Sequence, residues 1–258
     1  MSDATQRFSN RVSDCTRYRP GYPSQAVDFL LSQVGAALSG DRRADLVVAD
    51  LGSGTGIFTQ TLLPHVAQVF AVEPNDAMRQ EAERRLAGTP GFHSVTGTSE
   101  ATGLSPGSVN LVTAAQAFHW FDRDKARAEF QRILVPGGHV ALLWNKRLVD
   151  TDFLIGYEAL VTSLPEYAEV THHRVTPEVL REFFGHEPEF RSFAHEQRLD
   201  LQGVLGRLAS SSYCPAPGTD EFARIRERLQ GLFRAQNDDT IAFHYECEVY
   251  LGTLDGNP

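Results

Sequence analysis

Between residues 45 and 145 the chain alternates short apolar runs with helical stretches. The runs carry no regular polar position, which is typical of strands buried on both faces of a parallel sheet. They lie at residues 46–51, 69–72, 109–112 and 140–144. Residues 124–134 place apolar side chains on one stripe and predict a helix, which the Pro-Gly-Gly at 136–138 ends. This alternation predicts an α/β fold with a doubly wound, Rossmann-like sheet.

Outside this stretch the pattern changes. Residues 24–38 predict an amphipathic helix that begins at Ser24, and residues 151–189 predict helices before Pro165 and after Thr176, without strands between them. Residues 220–234 predict a last helix, and residues 241–251 alternate strictly between apolar and polar positions, as a strand with one wet face does. We expect a mostly parallel sheet with an antiparallel last strand and a helical cap.

We therefore interpret residues 1–258 as a single domain. The expected parts are an N-terminal arm and helix belonging to a lid, a ligand-binding core, a cap or insertion, and C-terminal strands and helices that complete the sheet. They correspond in that order to residues 1–40, 45–145, 151–189 and 190–258.

Composition narrows the class of protein. With 41% hydrophobic and 22% charged residues the chain is expected to fold, and no apolar run approaches the roughly 20 residues of a membrane-spanning helix. Residues 1–10 lack the apolar segment of a secretory signal, so we predict a cytoplasmic protein and no membrane partner. The net charge of −9 argues against nucleic acid as a partner.

Cysteine and histidine positions predict no metal site. Cys15, Cys214 and Cys247 are widely spaced, without a C-x-x-C pair, which excludes a disulfide framework and a structural zinc site. The adjacent His172 and His173 lack neighbouring carboxylates or cysteines and are typical of a solvated patch.

The strongest chemical signal is a glycine loop between the first strand and the helix after it. Gly52, Gly54 and Gly56 alternate there, so the backbone can turn tightly and approach a nucleotide-like ligand. A dinucleotide fingerprint would require glycine at position 57, which is Ile57. Asp50, just before the loop, suits a cationic ligand.

Glu73 lies where the second predicted strand ends. In nucleotide-binding α/β folds an acidic residue at this place accepts hydrogen bonds from ribose hydroxyls. Taken alone, Glu73 could be an ordinary charge at a strand end, but its position relative to the glycine loop favours a binding role.

These residues resemble the class I S-adenosylmethionine-dependent methyltransferases. The motifs that carry the resemblance lie at residues 50–56, 72–75, 97–101, 116–122 and 134–138. Within that superfamily, the Tyr-Arg-Pro-Gly-Tyr-Pro segment at 18–23, together with Ser211 and Tyr213, is similar to the small-molecule branch of trans-aconitate methyltransferase-like proteins. Ser53 departs from the pattern, since many relatives carry cysteine there.

The resemblance implies a Rossmann-like methyltransferase sheet, S-adenosylmethionine as cofactor, and a role for each matching residue. Gly52, Gly54 and Gly56, with Asp50 and Ser53 beside them, would hold the methionine portion, and Glu73 would bind the ribose. The adenine would lie near Asn75, Met78, Thr98 and Ser99. Gln116 would face the methionine end, and His119 and Trp120 would lie beside the transferred methyl group.

Two of these roles have a plainer alternative. Met78 has helical spacing with Ala82 and Leu86, which is typical of a core residue. His119 could serve as a general base, or it could only anchor its loop through a hydrogen bond.

The N-terminal arm is basic in an otherwise acidic chain. It carries Arg7, Arg11, Arg17 and Arg19 against Asp3 and Asp14. One of these arginines could meet an acidic group of substrate or cofactor, or the arm could be solvated surface. We expect Tyr18, Arg19 and Tyr22 to close over the methionine end together with Trp120.

The predicted function is methyl transfer to a small-molecule acceptor, such as a carboxylate or another metabolite. Two alternatives stay open: different chemistry on the same cofactor, such as cyclisation, and a cofactor-binding regulatory module without turnover. A macromolecular acceptor is less favoured by the acidic balance. The sequence does not identify the acceptor, the methylated atom or the oligomeric state.

Overall fold

The structure is a computed structural model that describes residues 17–37, 43–169, 175–211, 213–236 and 238–254. Arg7, Arg11, Cys15 and the pair His172 and His173 lie outside these ranges, as does most of the predicted arm. The expectations for these residues therefore stay predictions.

Helices and strands alternate through the first two thirds of the chain. In chain order the elements are α1 (Ser24–Ala37), β1 (Val47–Leu51), α2 (Ile57–Leu62), β2 (Gln68–Val72), α3 (Asp76–Leu86), β3 (Phe92–Val95), β4 (Val109–Ala115), α4 (Arg123–Ile133), β5 (Leu134–Arg147), α5 (Asp152–Thr162), α6 (Pro177–Phe184), β6 (Glu189–Leu199), α7 (Leu201–Ala209), α8 (Asp220–Arg234) and β7 (Ile241–Gly252). A short 3-10 turn at Phe118–Trp120 follows β4.

The described strands form one seven-stranded sheet in the order β3-β2-β1-β4-β5-β7-β6. The first five positions pair in parallel, and β7 runs antiparallel to both of its neighbours. The order turns back between β1 and β4, and ligands of open α/β sheets bind at such a switch point, beside the carboxyl ends of the strands. This confirms the predicted fold, including the antiparallel last strand.

The two edge strands, β3 and β6, lack the apolar runs from which β1, β2, β4 and β5 were predicted. β3 is short, and none of its residues is buried, because it lies at one edge of the sheet. β6 lies at the other edge and is rich in charged and polar residues; its first four residues are exposed, and none of its residues is buried. An edge strand can form without a run of apolar residues. A search of the sequence for apolar runs that alternate with helices therefore does not detect it.

The Pro-Gly-Gly segment after α4 is part of a strand. α4 ends at Ile133, and β5 begins at the next residue. Val109 pairs with Leu134, whereas Leu111 pairs with His139, so the residues between form a bulge in the ladder. The bulge takes up the residues that a regular strand could not accommodate.

Residues 151–189 contribute to two different hydrophobic clusters. Phe183 and Phe184 of α6 pack in the cluster that contains Phe118 and Phe130, against the sheet. Phe153 of α5 packs instead with side chains of α7, α8 and β7. No helix in the described ranges is long and apolar enough to cross a membrane.

Candidate active site

The glycine loop after β1 adopts a backbone that only glycine takes without strain. Gly52, Gly54 and Gly56 all have positive φ, at 65°, 58° and 77°. A Cβ at Gly52 would lie 2.7 Å from Cβ of Ala117, so this glycine also permits close packing. The nearest protein atom to a Cβ at Gly54 would be Sδ of Met78, at 3.8 Å, so the space beside Gly54 is open for a ligand.

Gly56 packs against α3. It does not line the cavity that the described residues form. A Cβ there would approach Cδ1 of Leu86 at 3.0 Å and Cβ of Ala82 at 3.3 Å. The third glycine therefore lets α3 pack closely against the loop, and its contact with the cofactor stays a prediction.

Glu73 is buried at the end of β2 and is bound by two backbone groups. Its Oε2 accepts from the N–H of Gly54 at 2.9 Å, and its Oε1 accepts from the N–H of Asn75 at 2.8 Å. Burial raises the pKa of Glu73, while these hydrogen bonds lower it in part. Each oxygen keeps a further lone pair, so the carboxylate can also accept hydrogen bonds from two ribose hydroxyls.

Both carboxylate oxygens of Asp50 accept hydrogen bonds from side chains within the protein. Its Oδ2 accepts from Oγ1 of Thr59 at 2.6 Å, and its Oδ1 accepts from Oγ1 of Thr113 at 2.9 Å. Burial raises the pKa of Asp50 to about 6, against these two hydrogen bonds. The carboxyl group therefore joins α2 and β4 beneath the loop.

Ser53 and the start of α3 supply further polar and apolar groups. The Oγ of Ser53 is buried without a hydrogen-bond partner among the described residues. Asn75 caps α3 by accepting from the N–H of Met78 at 3.0 Å. Met78 is buried and also lines the cavity, so its core role and its proposed ligand contact are compatible.

Thr98 and Ser99 lie on the tight turn after β3, and both line the cavity. Their neighbour Glu100, which sequence reasoning missed, joins this turn to α4. Its Oε1 accepts from Oγ of Ser99 at 2.8 Å and from the N–H of Asp122 at 2.9 Å. A residue that bridges two loops in this way leaves no periodic signal in the sequence.

Gln116, the residue directly after β4, has an unusual backbone conformation. Its φ of 58° is the only positive value among the described non-glycine residues, and such strain often marks a functional site. Its Nε2 donates to the backbone oxygen of Asn145 at 3.2 Å. His119 and Trp120 follow in the 3-10 turn with ring centroids 5.0 Å apart, and all three residues line the cavity.

Residues 18–22, which we call the N-terminal segment, cover one side of the cavity. Gln197 on β6 donates to the backbone oxygen of Tyr18 at 3.2 Å, and Asn145 donates to that of Gly21 at 2.9 Å. Arg19 and Tyr22 line the cavity as expected, whereas Tyr18 does not, because its ring packs on Gly206 of α7.

The whole cavity encloses about 970 Å³. Opposite the glycine loop it is lined by a polar group that sequence reasoning did not assemble, because its members come from distant parts of the chain. These residues are Arg147, Glu158, Tyr167, Arg207, Ser211 and Tyr213. The described residues contain no cluster of three or more His, Cys, Asp or Glu side chains that could hold a metal ion.

Known proteins share this architecture. The methyltransferase domain family matches residues 49–142, which contain the glycine loop, Glu73 and Gln116. An uncharacterised methyltransferase of Mycobacterium tuberculosis is 32% identical over 98% of this chain and 97% of its own.

Two solved structures of methyltransferases have a fold similar to that of this chain. A protein described as a type II methyltransferase from Anaeromyxobacter dehalogenans has a TM-score of 0.63 and 25% identity, over 92% of this chain and 98% of its own. A geranyl diphosphate methyltransferase in complex with S-adenosylmethionine has the same fold, with a TM-score of 0.50 and 15% identity over 97% of this chain and 90% of its own.

The buried Ser53 hydroxyl, the open space at Gly54 and the paired Glu73 carboxylate fit the cofactor of these proteins. With a relative 32% identical along nearly its full length, the chain belongs to the class I methyltransferases, enzymes that use S-adenosylmethionine.

Proposed function

We propose that the enzyme transfers the methyl group to a small molecule that shares one cavity with the cofactor. The observation that carries this proposal is the continuity of the cavity, from the glycine loop past Gln116 and Trp120 to Arg207. Small-molecule and cofactor sites typically measure about 300–1,000 Å³. The 970 Å³ cavity is at the upper end of that range and has room for the cofactor and a small acceptor together.

The residues that line the cavity would bind different parts of the cofactor. S-adenosylmethionine supplies an electrophilic methyl group on a sulfonium that leaves as a neutral thioether. Glu73 binds the ribose, while the backbone at Gly52 and Gly54 holds the methionine portion. Met78, Thr98 and Ser99 surround the adenine. Because the leaving group is good, alignment of the acceptor and exclusion of water contribute most to the rate.

Whether a base is needed depends on the acceptor. A carboxylate arrives deprotonated and needs none, whereas a protonated oxygen or nitrogen would give its proton to His119, the imidazole beside Trp120 in the cavity. The trans-aconitate methyltransferase-like branch fits the first case, and we retain it as part of the proposal.

The net negative charge of the chain and the N-terminal residues that cover one side of the cavity favour a small-molecule acceptor over a nucleic acid. The chain has a net charge of −9, and its N-terminal segment is bound over the cavity by Gln197 and Asn145. A polynucleotide would meet a net negative charge that repels its phosphates. We further propose that the enzyme works in the cytoplasm as a single domain.

Size fractionation of a cell extract tests the acceptor class. The enzyme is incubated with methyl-labelled cofactor and separately with the small-molecule, protein and nucleic-acid fractions. We expect label in the small-molecule fraction, with one S-adenosylhomocysteine formed per label, and none with a Gly54→Val control. Label in a macromolecule would contradict the proposal, and so would cofactor consumption without methylation or tight binding without turnover.

A further inference from the structure

The part of the cavity opposite the glycine loop carries more positive than negative charge. Arg19, Arg147 and Arg207 line it together with one carboxylate, Glu158. Lys146 and Glu248 also line the cavity, but they pair with each other at 3.5 Å. The cofactor half is acidic by contrast, with Asp50, Glu73 and Glu100.

Each of the three arginines has a hydrogen-bond partner inside the protein, and for Arg147 that partner is a carboxylate. Arg147 pairs through Nη2 with Oε2 of Glu158, whose Oε1 accepts from the hydroxyl of Tyr167 at 3.1 Å. Each oxygen of Glu158 therefore already accepts one hydrogen bond. Arg19 donates from Nη2 to the backbone oxygen of Ser210 at 3.1 Å.

Arg207 has only neutral partners. Its Nε donates to the hydroxyl of Tyr245 at 3.4 Å, and its Nη1 donates to Oγ of Ser211 at 3.3 Å. Both bonds are long, and within the described part of the chain no ion pair joins Arg207 to a carboxylate. A guanidinium has five N–H donors, so most of its capacity is unused. A partly buried cation without a counter-charge is unfavourable unless a ligand supplies that charge.

We infer that Arg207 binds an anionic group of the methyl acceptor, a carboxylate or a phosphate. The inference rests on the proposed function, because it requires an acceptor to enter this cavity. A guanidinium matches either oxyanion through two parallel hydrogen bonds. Tyr213, which lines the same cavity, adds a hydroxyl group that can donate to the same anion.

The position of Arg207 separates this anion from the atom that receives the methyl group. Arg207 contacts Tyr245 on β7, while Gln116, at the methionine end, directly follows β4. β4 and β7 are two places apart in the sheet, which at about 4.8 Å per strand is roughly 10 Å. The acceptor is therefore an elongated molecule with an anion at one end and its nucleophile at the other.

Calorimetry on the complex with S-adenosylhomocysteine tests this site with defined probes. The probes are glutarate, its neutral diamide glutaramide, and inorganic phosphate. We expect glutarate or phosphate to bind the wild-type complex at least tenfold more tightly than glutaramide. Preference for glutarate would assign a carboxylate, and preference for phosphate would assign a phosphate. Equal binding of all three probes, or no binding of either anion, would overturn the inference without any variant.

Variants locate the charge. Arg207→Gln should weaken binding of the preferred anion at least tenfold, Arg207→Lys less, and the exposed helix variant Arg228→Gln not at all. Affinity for S-adenosylhomocysteine should stay within twofold in all of them. Unchanged anion binding in a folded Arg207→Gln protein would overturn the site. Failure of the wild type to bind S-adenosylhomocysteine, or label in a macromolecule, would instead contradict the proposed function.

Discussion

The backbone N–H of Gly54 donates to the carboxylate of Glu73 at 2.9 Å. This bond joins the loop after β1 to the end of β2, so the groups assigned to the methionine portion and to the ribose are held in one fixed relation before any ligand binds. The second oxygen of the same carboxylate is held by the N–H of Asn75, the residue that caps α3. Glu73 thus links the glycine loop to the start of α3, and in our proposal it also binds the ribose.

Replacing Glu73 by Gln should weaken S-adenosylhomocysteine binding by about 1–3 kcal/mol, or roughly 5- to 150-fold. The amide keeps the shape of the side chain, but it loses the charge and turns one acceptor into a donor that faces a backbone N–H. Titration calorimetry measures the change, with exposed Glu227→Gln on α8 as the control. Equal affinity in wild type and Glu73→Gln would show that the ribose lies elsewhere.

Gly54→Val should abolish cofactor binding while the sheet stays folded. Its Cβ would meet no protein atom closer than 3.8 Å, so the side chain would occupy the space left for the ligand. Gly107→Val is the matched control, because Gly107 has the same φ of 58° and open space around it, but lies away from the cavity. Both variants carry the same backbone strain. Calorimetry and circular dichroism should therefore separate them, and similar cofactor affinities would refute a close approach at Gly54.

Glu129→Gln should lower stability in a pH-dependent way. Burial raises the pKa of Glu129, but hydrogen bonds from Arg132 and Thr102 outweigh it and hold the pKa at about 2. A depressed carboxyl pKa contributes stability that is complete above the unfolded value of 4.5 and is lost as the pH falls towards 2. The expected loss is roughly 1–3 kcal/mol at pH 7, and it should shrink below pH 4.5. Urea unfolding across this range measures it. A loss of constant size at every pH would rule out the ionic cause.

Gly206→Ala should loosen the N-terminal segment. Its Cβ would lie 2.1 Å from the ring of Tyr18, which would have to move away from α7. Hydrogen exchange of the amides between residues 18 and 22 should then speed up, and cofactor should protect them less than in wild type. Gly231→Ala on α8 has open space and should leave exchange unchanged, with stability higher by about 0.5–1 kcal/mol. Identical protection in both variants would mean that this segment is not a lid.

The sequence predicted the part of the fold that is built from local periodicity. β1, β2, β4 and the centre of β5 are apolar runs, and α8 was predicted at its observed bounds because its apolar stripe is regular. No bounds were predicted for β3 and β6, because edge strands bury little. The bulge in β5 was missed because Pro-Gly-Gly is more often a turn than part of a strand.

The candidate site likewise has a part that the sequence predicted and a part that it did not. The glycine loop and Glu73 lie within one βαβ unit, so their spacing along the chain indicates their meeting in space. Arg147 and Arg207 line one cavity only because β5 and β7 pair and α7 packs beside them, and nothing in the sequence near either residue indicates that they lie near each other. Gly56 packs against α3 and Tyr18 against α7, which their motifs did not indicate, because a motif gives position along the chain and not the direction of packing.

A crystal structure with S-adenosylhomocysteine tests the account most directly. We expect the ribose hydroxyls to donate to the Glu73 carboxylate, and the homocysteine portion to lie against the backbone of Gly52 and Gly54. The sulfur should face the part of the cavity that leads past Gln116 to Arg207, with Arg207 itself not touching the cofactor. A ribose beyond hydrogen-bonding distance of Glu73, or a homocysteine carboxylate bound by Arg207, would contradict the division of this cavity into a cofactor half and an acceptor half.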